Sequence, residues 1–516
     1  MEIVLVGLLF NMANKLYLDF SGGMNAQQSP LTLKDNESEL IVNYDLDKTG
    51  ALRRRNGYTA FASNGLFHTC GLFGTMNPNN KTPIAYRSTN DAPFATATER
   101  KTYYLSGGAW TVTDDTGQEP FKPTTGATNE VFKTRFASLL NYIFRVNGGD
   151  IPVSFLITTP QTKTDINLAY VDNNTIAMTP SLIAVYADRM YINDTADGKR
   201  SRVYYSTEAI PGSEITWGAS AAAQQYFDVN PDDGDFITAF ENNGNHLLIF
   251  KNYSMYRWIW GQIDADRIIG VGTTAQEGVA TDFERGITFF ANPEGVYAYD
   301  GNRPKLISKK IQPYIDAVAN ADWKYVSGGV DRERYHLSVG DITVNGRTIA
   351  NAEFVYNIPL DAWTIWSLAE QPTCYAQISG TFPTQSLTFG TADGYDYYYS
   401  TATQDLDGGT TAKSISTEVI TKEHLLVYPE KSTLENLDVL AIQGGDTKVS
   451  YQVDRNLIGR EGDFVSFKGG LNDRTNRFRI GKEMNTCRFR FADNSVRDSI
   501  IEGYNIEYTP KKEKTK

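Results

Sequence analysis

Short runs in which apolar and polar residues alternate dominate the chain, and segments with a sustained helical period are few. That pattern predicts an all-β protein. The clearest run is Gly295-Val-Tyr-Ala-Tyr299, followed by Asp300-Gly301 and a second short strand ending at Ser308. An Asp-Gly pair between strand formers predicts a tight hairpin, because glycine adopts φ > 0 at no steric cost and the turn then matches the twist of its strands. The preceding Gly286-Ile-Thr-Phe-Phe-Ala291 supplies another strand, so about three strands fit in roughly 25 residues.

Degenerate versions recur at Lys101-Thr-Tyr-Tyr-Leu-Ser-Gly-Gly108, Tyr142-Ile-Phe-Arg-Val-Asn-Gly-Gly149, Ala184-Val-Tyr-Ala-Asp-Arg-Met-Tyr-Ile192 and His246-Leu-Leu-Ile-Phe250 with Met255-Tyr-Arg-Trp258. Further ones are Tyr335-His-Leu-Ser-Val339 with Phe354-Val-Tyr356, and Tyr395-Asp-Tyr-Tyr-Tyr399. A spacing of roughly 40 to 60 residues suits four short strands per unit, which predicts an irregular β-propeller of about six blades over 66–403. Asn357-Ile-Pro-Leu-Asp-Ala-Trp-Thr-Ile-Trp366 reads as a Pro-Asp turn feeding a strand anchored by Trp363 and Trp366.

The texture changes past Ser400. Residues 404–413 read as a polar linker, and 414–510 hold about seven alternating strands, which predicts a C-terminal β-sandwich. Within it Cys487-Arg-Phe-Arg-Phe491 places Arg488 and Arg490 on one face and Phe489 and Phe491 on the other. Residues 511–516 are a charged tail, and 1–65 read as an extended N-terminal docking segment. The apolar run Ile3–Phe10 is too short to span a bilayer and lacks the basic flank of a signal peptide, so translation is expected to start at Met12.

Composition narrows the chemistry. The 41% apolar content of the 516 residues supports a full core, and 30 Tyr with 43 Gly favour strands and turns. A net charge of -12 argues against an open nucleic-acid-binding surface, although an acidic wall would let DNA slide past without sticking. Cys70, Cys374 and Cys487 make no metal or redox motif and read as free buried thiols. His68, His246, His336 and His424 are scattered, and neither a GxSxG elbow nor a phosphate-binding loop is present, so no catalytic, cofactor or metal residues are assigned and no enzyme is expected. The acidic run Asn230-Pro-Asp-Asp-Gly-Asp235 has oxygen ligands for Ca²⁺ but not the spacing of an EF-hand loop, and reads as a turn.

Arg53, Arg54 and Arg55 form the one compact basic cluster of the first half, read on residues alone as an edge strand pairing with Asp45 and Asp47. They belong to a longer order: Gly22-Gly-Met-Asn25, Ser29-Pro-Leu31, a short acidic turn, Asn43-Tyr-Asp45, Gly50-Ala-Leu-Arg-Arg-Arg55 and Gly57-Tyr58. This order resembles the N-terminal signature of β-propeller virion proteins from tailed bacteriophages, which form the tail hub or nozzle of short-tailed phages, including the packaged-DNA stabilisation group. The resemblance implies a structural virion protein of the tail, assembled in the host cytoplasm as a ring, with a hexamer implied. Such a ring would continue the DNA channel, retain the packaged genome, release it on DNA ejection, and dock neighbouring tail, adaptor and fibre proteins without a membrane partner. Arg53, Arg54 and Arg55 are then the expected assembly interface, since arginine clusters pair with carboxylates between subunits.

The competing reading is a glycan-binding or sialidase-like glycan-cleaving propeller of a receptor-binding appendage. Val203–Trp217 resembles the Asp-box hairpin of sialidase-like propellers, with Glu208 in place of Asp, and Arg189, Arg202, Arg257 and Arg285 are the arginines that would have to converge on a sugar carboxylate.

Overall fold

Four-stranded antiparallel sheets follow one another along the chain in this computed structural model. It describes residues 12–511 apart from 63–67, 77–82, 91–99, 114–132, 150, 167, 169–177, 196–197, 212–214, 218–224, 380–384, 428–430, 455–463 and 472–473. The apolar run before Met12, Gly212 of the Asp-box-like hairpin and residues 512–516 lie outside the described residues.

Among the described residues, six such sheets stand alone: 68–112, 135–165, 183–228, 237–269, 280–306, and 372–399 completed by Tyr58–Ala62. A seventh unit, 327–367, forms the first four strands of an eleven-stranded sheet. The innermost strands are His68–Met76, Arg135–Leu139, Ile183–Tyr186, Ile237–Asn242, Ala280–Asp282, Ser327–Val330 and Pro372–Ser379; they touch one another in that order, and the last touches the first. This closed cycle, with blades numbered in that order, is a β-propeller of seven blades, where about six, uncertain by one, were expected. Glycine lets the inner strands approach: a Cβ on Gly71 would lie 2.1 Å from Thr134 O, and one on Gly74 2.4 Å from Gln377 O.

The expected Asp300-Gly301 hairpin is displaced. The tight turn is Pro293-Glu294, between paired Asn292 and Gly295, and Asn292 Oδ1 accepts from both Glu294 N and Gly295 N. Asp300 and Gly301 sit in a wider loop, since Tyr297 pairs with Leu306 and Ala298 with Lys305. Proline fixes φ at the start of a turn and an Asn side chain closes it, and together these outweigh the Asp-Gly preference. The turn before Trp363 and Trp366 forms as expected: Asn357 Oδ1 accepts from Leu360 N at 3.1 Å, and both tryptophans are buried.

The other strands build two facing sheets. Glu37–Val42 runs parallel to Ala362–Ser367 of blade six and antiparallel to Thr417–Thr421, so the blade continues into Thr486–Asp493, Lys448–Val453 and Val465–Gly470. The second sheet joins Ala13–Tyr17, Tyr44–Leu46 and Leu52–Arg54 to Ile500–Pro510, Ser432–Gln443 and Arg474–Met484. Tyr504 of this sheet meets the rings of His424, Phe489 and Phe491 of the first at 5.6, 5.9 and 6.0 Å. One apolar cluster runs from Tyr335 and Trp363 of blade six through to Tyr504.

Two boundaries are therefore corrected. The N-terminal stretch is not an extended segment: residues 13–62 feed both facing sheets and close blade seven, where their backbone N–H and C=O groups find ladder partners. Residues 404–413 are not a linker, because Gln404–Asp407 pairs with Thr411–Ser414 in a ribbon turned by Asp407-Gly408-Gly409-Thr410. Cys70, Cys374 and Cys487 are buried and free, as expected.

Candidate functional site

The inner strands enclose a cavity of about 520 Å³ on the propeller axis. Arg135, on the first strand of blade two, donates to Glu277 at 2.9 Å, in the turn Gln276–Gly278 that leads into blade five. Blades two and five face each other across the ring, so this ion pair crosses the axis. Gln276 fixes the turn by accepting from Phe240 N at 2.6 Å and donating to Phe240 O at 2.8 Å. Glu241 lines the same cavity; burial pushes its carboxyl up to about 7 against an opposing hydrogen bond from Thr281. The cavity can hold a small molecule, and a double helix, whose major groove alone is about 12 Å wide, does not fit. Sequence reasoning missed Arg135 and Glu277, which are 142 positions apart and carry no local motif.

The second candidate is the seam between propeller and facing sheets, where residues 22–58 of the N-terminal stretch gather. Gly23 has φ +66 and lies against Ala362 and Trp363, while Asn25 donates to Glu37 at 3.0 Å. Asn43, at φ 57, donates to Ser416 O and accepts from both Arg55 Nε and Ser367 N. Arg55 forms a two-pronged pair with Asp405 and donates to Ser367 O. Arg54 donates to Arg497 O at 2.7 Å and to Ile415 O at 2.6 Å. A Cβ on Gly57 would lie 1.9 Å from Gln404 O, and Tyr58 is fully buried between Phe389 and Tyr397.

This placement corrects the expected assembly interface. Arg54 and Arg55 are each 1% exposed and hold the chain together from within, so only Arg53 of the three faces outward. Burial is possible because every guanidinium finds carbonyl or carboxylate acceptors at fixed geometry. The expected strand pair forms, with Asp45 directly opposite Arg53, while the Asp45 carboxylate receives Arg334 at 2.5 Å.

Beside the seam lies a charged cluster that the scattered histidines did not announce. His336 Nδ1 meets Glu353 Oε1 in a short contact, and Nε2 lies 3.3 Å from Asp331. Tyr399 donates to Glu353 at 2.6 Å, and its ring stacks on His336 at 5.1 Å. Burial alone would depress the imidazole, but Glu353 and Asp331 outweigh it and hold His336 at about 9. Burial would raise the Asp331 carboxyl, and the His336 hydrogen bond instead takes it well below the ordinary carboxylate range.

The remaining candidates resolve as turns and local pairs. Asp233 receives the fully buried Lys251 ammonium at 2.8 Å, and Asp235 accepts from Asn252 N and Tyr253 N, so the acidic run holds a lysine where Ca²⁺ was considered. Arg189, Arg202, Arg257 and Arg285 do not converge: they pair with Glu208, Asp228, Asp266 and Asp282 in their own blades. Among the described residues no three His, Cys, Asp or Glu side chains gather as metal ligands, and no helix is long and apolar enough to cross a membrane.

No protein family matches the chain, and no curated protein matches it. Among solved structures it is similar to BamB from Moraxella catarrhalis, with 9% identity and a TM-score of 0.37 over 69% of this chain and 95% of that one. It is also similar to the extracellular domain of the one component system BT4673 from B. thetaiotaomicron, with 10% identity and a TM-score of 0.43 over 87% of this chain and 58% of that one.

Proposed function

We propose that the chain is a structural, non-enzymatic virion protein of a tailed bacteriophage, a ring-forming subunit of the tail hub or nozzle. The observation that carries this reading is that the phage-like N-terminal residues are the ones built into the seam. Residues locked this firmly suit a wall that must withstand packaged DNA.

In this reading the partners are further copies of the chain in a ring, a hexamer by the resemblance, together with neighbouring tail, adaptor and fibre proteins. The C-terminal β-sandwich and the outer loops dock those parts. Because the Arg135–Glu277 pair crosses the propeller's own axis, DNA passes through the lumen between subunits. A chain of net charge -12 repels phosphate there and limits sticking without sequence-specific contacts. Electron microscopy of the purified full chain tests this. A ring with a hole wide enough for a duplex is expected, and a protein that stays monomeric at every concentration overturns it.

One observation favours a glycan-binding appendage instead. Trp260 is 42% exposed, with the Arg189 guanidinium 3.9 Å from its ring centroid and Tyr205 edge-on at 5.5 Å, and sugars stack on such rings. A glycan array separates the readings: binding by a stable monomer, lost in Trp260→Ala, selects the appendage.

A further inference from the structure

A cleft of about 360 Å³ opens where the tip of the blade-six hairpin, strands Arg334–Val344 and Arg347–Asn357, reaches over the sheet beyond it. Its floor is a row across three strands, in which Ala492 pairs with Glu418 on one side and Lys448 on the other. The small Ala492 leaves room between two long side chains. Arg490 stands two residues away on the same face, and Arg347 arrives from the hairpin.

The charges in this cleft do not balance locally. Glu418 Oε1 accepts from Arg347 Nη2 at 2.6 Å and lies 2.5 Å from Arg490 Nε, so one carboxylate serves two guanidinium groups. Asp493, at the rim, accepts from Asp446 N, Ser495 N and the Thr447 hydroxyl, so the lining carries three cations against two carboxylates. Lys448 is exposed and makes no ion pair among the described residues. One donor in the lining is buried without a partner, Arg347 Nη1. Buried donors are nearly always satisfied, so an orphan guanidinium nitrogen beside a surplus of positive charge marks a place for an acceptor. The surplus stands out in a chain of net charge -12.

We propose that this cleft binds an oxyanionic group, a carboxylate or a phosphate, between Arg347, Arg490 and Lys448. Forked guanidinium donors match two oxygens of such a group, and the ammonium adds charge at the open side. The inference is independent of the ring reading.

Isothermal titration of the full chain with inorganic phosphate, and separately with succinate, at fixed ionic strength provides the test. Saturable binding of at least one probe is expected, weakened roughly tenfold or more in both Lys448→Glu and Arg347→Gln. A response to phosphate alone points to a phosphorylated ligand, and a response to succinate to a carboxylate. Lys448 is exposed and makes no ion pair among the described residues, so its variant keeps the fold even if Arg347→Gln does not. Absence of saturable binding by either probe, or binding in the Lys448→Glu variant as tight as in the parent chain, overturns the proposal.

Discussion

Asp405 takes both terminal nitrogens of Arg55, at 2.8 and 2.6 Å, with the two side chains 4% and 0% exposed. Removing one partner strands the other charge in a dry site. Asp405→Ala is expected to cost about 3–5 kcal/mol, and the joint Arg55→Met, Asp405→Leu replacement far less, because desolvation of the pair nearly offsets its attraction. Urea unfolding of the three proteins checks this.

The arginine run should divide under charge reversal. Arg53→Glu is expected to leave the thermal midpoint within a few degrees of the parent, since a change at an exposed position usually stays within about 0.5 kcal/mol. Arg54→Glu or Arg55→Glu should instead give little folded protein. Equal midpoints for all three variants would contradict the seam described above.

His336 links stability to pH. Its folded value of about 9 exceeds the ordinary 6.5, so the folded chain holds a proton that the unfolded chain releases in between. The contribution, on the order of 3 kcal/mol, is complete below 6.5 and is lost as pH rises through 9. In His336→Gln the fall in stability between those values should be shallower, as followed by denaturation midpoints across the range.

Glu241 acts in a lower window. Its carboxyl is raised to about 7 by burial, so its favourable share is present below 4.5 and disappears as pH climbs through 7. Glu241→Gln should leave the protein near its parent stability at pH 4 and raise it at pH 8 by on the order of 1–3 kcal/mol. Equal stability of the two proteins at pH 8 would show that the carboxylate ionises there without penalty.

What the sequence could reveal follows from the range of each interaction. Period-two alternation is local, and every strand centre it marked, from Lys101–Gly108 to Tyr395–Tyr399, falls in a different blade. The seven centres match the seven blades, and the expected count of about six, uncertain by one, reflected only their irregular spacing; what stayed hidden is that blade seven borrows Tyr58–Ala62 and blade six runs on into Glu37–Val42. Arg488 and Arg490 oppose Phe489 and Phe491 as the strand period requires, both rings being fully buried. The seam was invisible for the opposite reason: Arg55 and Asp405 are 350 positions apart, and nothing near either residue names the other. The axial pair and the oxyanion cleft have the same character. Each joins chain segments far apart in sequence.

Tyr58–Ala62 is made early and used late. Thr59 and Ser400, joined by a hydrogen bond of 2.6 Å, are 341 positions apart. At a synthesis rate of about 5–20 residues per second the first strand waits roughly twenty seconds to a minute for its partner. Through that interval its edge, and the matching edge at Asp396–Tyr399 once it emerges, can be taken by the same strand of another nascent chain. Polysomes that bring several copies close together thus favour exchange of this strand between chains, and the speed of translation sets how often it happens.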